Sequence, residues 1–313
     1  TATTTTTAVT ITTTAASAVI DISNITTSGG AAAQDSGLAG GNASTITLQT
    51  HADSGIVLND SVIRAAGGKG DGQAAQGAGK TISFLNVLEL KGSSITIDTG
   101  ETGGNLEFYG ALDGGLAVTL TAGTGDLLID LNGDIGAIDP LLSLSISAKN
   151  LNLHDVTTIG SQTFASAGTI TTNSTYKTLD GGSITFDGNV VMNDDLTVIT
   201  PITIAQDPNE QAVVTFTGTV NTADGSTGAL NVTAGSGAVT FKGALGSADK
   251  GELGAIDINT AGLTDFQSTV EAASIDTDAL GTVQLAGNVT VTDAAGAVFN
   301  ENLTIAQAVA ATP

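Results

Sequence analysis

The groups able to do chemistry in this chain are few, and their spacing is loose. Its two histidines, His51 and His154, stand about 100 positions apart. His154 lies in the strand-like run LNLHDV (151–156), where alternation turns Asp155 to the opposite face. That separates an imidazole from the carboxylate that would orient it as a base, so a surface or corner histidine is the better reading. Cysteine is absent, which removes thiolate nucleophiles, thiolate metal ligands and disulfides together. No nucleophile elbow, His-Glu metal helix or phosphate loop is present in the sequence.

Carboxylates are the one abundant reactive type, with 31 Asp and Glu against 8 Lys and Arg. Asp126, Asp130 and Asp134, and the adjacent pair Asp194 and Asp195, are where acids from neighbouring segments could meet around Ca²⁺. The run GGKGDG at Gly67–Gly72 resembles the Gly- and Asp-rich repeat of calcium-binding solenoids, but it occurs once, and Gly72 stands where that repeat has Asp. Scattered solubilising charge is the simpler reading of these acids. No catalytic or cofactor-binding residue is assigned, and Ca²⁺ is the one cofactor weighed.

Sugar chemistry needs clustered carboxylates, or Arg and Lys poised over an acidic sugar. Arg64 is the sole arginine and lies at the entrance to a glycine-rich stretch. Besides the eight Phe residues, only Tyr109 and Tyr176 could serve as sugar platforms. A polysaccharide-acting enzyme is therefore disfavoured, and no enzymatic activity is expected. The net charge of −23 argues against nucleic acid, whose backbone is bound by Lys and Arg, and against anionic lipid. No window approaches 18 uninterrupted apolar residues, so a membrane-spanning helix is not expected.

The elements that would have to position these groups are strands. Thr, Val, Ile, Gly and Asn dominate, β-branched residues alternate with polar ones, and no helical apolar stripe is sustained. Phe84 and Phe108 lie 24 apart, and Phe216, Phe241 and Phe266 are separated by 25 each. Around them recurs Phe-x-Gly-x-aliphatic, as in Phe108-x-Gly110-x-Leu112, Phe186-x-Gly188-x-Val190, Phe216-x-Gly218-x-Val220 and Phe241-x-Gly243-x-Leu245. Copies lie about 19 to 33 residues apart, most often near 24, the length of one coil in a solenoid. Stacked coils set like above like, so the Phe residues are expected to form an internal ladder.

A β-sandwich also uses many short strands, but Asn-Gly and Asp-Gly hairpin turns are scarce between these strands. The expected fold is all-β, a right-handed parallel β-helix. About 27 strand-like runs, at three to a coil, imply about nine to eleven coils in a single solenoid over residues 1–313. The Gly/Ala-rich stretches 29–44 and 65–80 read as excursions from neighbouring coils, and their low complexity reads as flexible arcs. Thr-x-Thr pairs, as at Thr215 and Thr217, do not recur at one fixed position of the repeat, which argues against a flat ice-binding face.

The run Ile25-Thr26-Thr27-Ser28-Gly29-Gly30, with Gly40-Gly41-Asn42 and Ile46-Thr47-Leu48, resembles the coils of filamentous-haemagglutinin-type and autotransporter surface proteins. The units VTFKGAL and VTAGSGAVTF resemble repeats of very large bacterial surface proteins. This resemblance implies a secreted, cell-surface β-helix used for adhesion, matrix or fibre formation. Neither the Thr-rich segment 1–22 nor the C-terminal NENLTIAQAVAA shows a polar cap, so the coil is expected to continue or to stack on a neighbour. The expectation is an extracellular structural protein that binds copies of itself end to end. The alternatives are a stalk segment of a large adhesin that meets a host or neighbouring cell surface and, less favoured, a polysaccharide-acting enzyme.

Overall fold

The computed structural model describes residues 8–52, 54–129, 133–172, 174–200, 211–247, 251–277 and 281–306. Among these residues the regular structure is all strand, paired in parallel as a β-helix. The chain forms two compact units: Thr1–Asp155 with Ala165–Ala167, and Val156–Phe164 with Gly168–Pro313.

In the first unit, one ladder stacks Val9–Thr12, Ile46–Gln49, Ile82–Phe84, Leu106–Phe108, Leu127–Ile129 and Leu151–Leu153. A second face stacks Ile20, Ile56, Leu88, Leu112 and Ile135 in register. The third face stacks 24–26, 62–64, Ser94–Asp98, Ala117–Thr121 and Ser143–Ala148. Alternation sends one column of each strand inward, and Ile46, Ile56, Ile63, Ile82, Leu88, Ile97 and Leu106 are fully buried.

The second unit repeats the plan with a more aromatic core. Phe186, Phe216, Phe241, Phe266, Leu285 and Ile305 occupy one column. Val190, Val220, Leu245, Val270 and Val289 occupy the next. The Phe-x-Gly-x-aliphatic unit is thus the end of one strand, a corner, and the start of the next. Its glycine is needed for close approach: a Cβ on Gly243 would lie 2.1 Å from the carbonyl oxygen of Gly218, the corner below.

The corners carry a second device. Fully buried Thr178 donates its hydroxyl to the Gly182 carbonyl at 2.9 Å, Thr99 to that of Gly104 at 2.7 Å, and Thr50 to that of Ser54 at 2.6 Å. Asx side chains complete the accounting between coils: Asn86 accepts the Thr50 amide, Asn24 that of Val62, and Asn189 that of Thr219.

The glycine-rich stretches are not flexible arcs. They are two arms, each closed by its own backbone, Gly41 N–H to Gly30 O and Gly77 N–H to Gly68 O, both at 2.8 Å, and bonded to each other by Gly68 N–H to Gly41 O and Gly29 N–H to Ala66 O, both at 2.9 Å. The arm tips join where Asp71 N–H donates to Leu38 O at 3.0 Å and the Asp71 carboxylate accepts the Gly37 amide at 2.8 Å. Backbones this close leave no room for side chains, since a Cβ on Gly68 would fall 2.1 Å from the Gly30 oxygen. Low complexity here therefore reflects packing rather than freedom.

Candidate functional site

The third face of the first unit presents a regular outer surface. With Ile63, Ile97, Leu120 and Ile146 turned inward, Thr96, Thr119 and Ser145 form one outward column, and Arg64, Asp98, Thr121 and Ser147 form the next. Rows repeat at about 4.8 Å across strands and about 6.6 Å along them. Hydroxyls also stack on the second unit, where Thr185, Thr215 and Thr240 share one column. The Thr-x-Thr pair itself does not recur there, since Asp187 and Lys242 stand where Thr217 stands in the coil between. Thr217 is not part of such an array, because its hydroxyl is taken by Asp187 at 2.7 Å.

Arg64 ends its strand where the second glycine arm leaves the face and returns by Lys80. The arm thereby brings Lys69 and Gln76 over the sheet, and a cleft of about 330 Å³ lies between them and Thr96, Asp98, Glu101 and Thr121. Arg64 Nε donates to Asp98 Oδ2 at 3.1 Å, and Asp98 Oδ1 accepts the Gly100 amide at 2.6 Å. The terminal guanidinium nitrogens, the Lys69 ammonium, the Gln76 amide and the Glu101 carboxylate make no bond to another described residue. These are convergent polar groups in a concave site. Sequence spacing placed Arg64 at the mouth of a loop. It did not bring Lys69 to Arg64, because the approach depends on the arm folding back.

Among the described residues, the calcium candidates are not grouped as a metal site. Asp126 accepts the Asn150 side-chain amide at 2.7 Å, and Asp195 accepts the Ala229 amide at 2.8 Å, so both carboxylates tie one coil to the next. Asp134 contributes its carbonyl to the Leu112 amide at 3.1 Å. Asp194 lies beside Asp195 at a corner, and Asp130 lies outside the described residues. Among the described residues, no three His, Asp or Glu side chains are grouped to hold a metal ion. Asp71, the acid of GGKGDG, instead pins the arm tips, and the Gly37 amide holds its carboxyl below the usual carboxylate range. Asp60 is lowered likewise, by the Ser93 amide first and then the Ser93 hydroxyl.

His154 follows the strand Leu151–Leu153 at a corner, and the His51 carbonyl accepts the Asn86 side-chain amide. Tyr176 is no sugar platform. It is fully buried, edge-on to Phe164 and Phe186 at 5.1 and 4.9 Å, with its hydroxyl donating to Thr172. Tyr109 is the exposed tyrosine, at a corner of the first unit.

The last described coil of the second unit is open. Ile305 continues the Phe column beyond Leu285 and is 69% exposed, whereas Leu285 is 7% exposed. Leu303 sits on fully buried Val283 and is itself exposed. No helix among the described residues is long and apolar enough to cross a membrane.

No family model, curated protein or solved structure matches this chain. The reading of its function rests on its own geometry.

Proposed function

We propose that this chain is an extracellular structural protein whose copies stack head to tail, coil on coil, into a filament or matrix. The observation that carries this reading is Ile305, a core-column side chain in register with Leu285 and left 69% exposed. A strand stacked on Asn302–Ile305 would bury Leu303 and Ile305 and satisfy the open backbone edge. The first described coil offers the complementary edge. Val9 and Ile11 are only half-buried, although Ile46 and Leu48, their partners in register, are fully buried. Two such unlike faces make a heterologous contact, which propagates when it does not close a ring. The charge of −23 keeps other surfaces of the copies apart and confines contact to the apolar edges.

Light scattering and negative-stain microscopy across a concentration series test the reading. Wild-type chain should grow into elongated particles, and Ile305→Asp with Leu303→Asp should hold it monomeric with an unchanged circular dichroism spectrum. A wild-type chain that stays monomeric at high concentration would overturn self-association. It would favour the runner-up, a stalk segment of a large adhesin in which coils of one longer chain cover the same edge. The length of the full gene product then separates the two.

A further inference from the structure

We propose that the cleft between the second glycine arm and the third face of the first unit binds an acidic sugar unit within an otherwise sparsely charged glycan. Arg64 and Lys69 bring two of the chain's 8 basic residues to one concave site, with N–H donors that no other described residue takes up. A guanidinium and an ammonium together suit a carboxylate. Gln76 and Glu101 supply a donor and an acceptor for ring hydroxyls, and Thr96 and Thr121 offer both. Asp98 grips Arg64 through Nε and is itself held by the Gly100 amide, so the terminal guanidinium nitrogens are oriented before a ligand arrives.

The cleft, at about 330 Å³, falls at the small end of ligand sites, which suits one sugar unit. Beyond it, Thr119, Ser145 and Ser147 continue the hydroxyl columns, so flanking sugars would meet donors and acceptors at each coil. Dense polyanions fit poorly. The whole chain carries −23, and Asp98 and Glu101 oppose a second negative charge in the cleft. The lining has no aromatic side chain, so binding rests on hydrogen bonds and on the charge of Arg64 and Lys69 without stacking, with a Kd on the order of 1 mM.

The test is NMR titration at a concentration where scattering shows monomer, which separates its outcome from that of self-association. The probes are a tetrasaccharide alternating glucuronate with N-acetylglucosamine, its carboxyl-reduced form, and hexagalacturonate. The first should shift the Gly100 and Thr121 amides, and the other two should bind more weakly. Arg64→Ala and Lys69→Ala should each weaken the first by about ten-fold or more at unchanged melting temperature. If Arg64→Ala disturbs the arm, Lys69→Ala at an exposed side chain carries the test. Thr215→Val, on the second unit, should change nothing. Equal binding of the first two probes, no binding of the first, or full binding by Lys69→Ala would overturn the proposal.

Discussion

Phe186 and Phe216 lie face to face, with ring centroids 4.8 Å apart and planes 6° from parallel, although 30 residues of chain separate them. The next rings follow at 5.1 and 5.2 Å, to Phe241 and then Phe266. That interval is close to the spacing that backbone hydrogen bonds impose on stacked strands, about 4.8 Å. The ladder of rings and the ladder of amides therefore share one period, and each supports the other.

Removing a middle ring should be costly. Phe216→Ala opens a cavity between two neighbours that backbone bonding holds apart, and should cost about 3–5 kcal/mol by urea denaturation. Phe216→Leu should cost less, because Leu285 already occupies this column two coils beyond Phe241.

The arms should separate two glycines of identical composition. Gly68→Ala places a methyl against the Gly30 oxygen, whereas a Cβ on Gly30 meets nothing within 4 Å. Gly68→Ala should lose more than about 1 kcal/mol and the exchange protection of the Gly41 and Gly77 amides. Gly30→Ala should be near neutral in both measurements.

Acid should loosen the arm tips. The Gly37 amide lowers the folded-state pKa of Asp71 below its unfolded value. The contribution is therefore present at neutral pH and is lost as pH falls through that lowered value, beneath the ordinary aspartate value of about 3.9. The Gly37 amide shift, followed by NMR, should titrate with Asp71 in that range. Asp71→Asn should remove the titration.

Corner threonines should matter more than facial ones. Thr178→Val keeps the shape but strands the Gly182 carbonyl in a buried corner, at a cost of about 1–3 kcal/mol in thermal or urea unfolding. Thr215→Val, on the outer face, should stay within about 0.5 kcal/mol.

Much of the fold was legible because each coil repeats a local statement. Phe216-x-Gly218-x-Val220 and Phe241-x-Gly243-x-Leu245 mark strand, corner and strand within five residues, and alternation alone assigns Phe216 and Phe241 to the interior. The threonine column was harder to read. Phe186 and Phe216 are 30 apart while Phe216 and Phe241 are 25 apart, so no constant period aligns Thr185, Thr215 and Thr240. Register is set by backbone pairing, which tolerates corners of different length.

The residues by themselves determined that this is a strand-built, stacked protein with a Phe ladder inside and little chemistry on offer. Those properties follow from side-chain alternation and a short repeated unit, both local in sequence. Only the tertiary structure decided that the glycine stretches are paired arms and that Lys69 and Gln76 come to rest over Arg64 and Asp98. Glycine has no side chain to declare a partner, and bonds such as Gly68 N–H to Gly41 O join residues far apart in sequence through backbone alone. The cleft exists because a run without a readable pattern, 65–80, folds back over the third face.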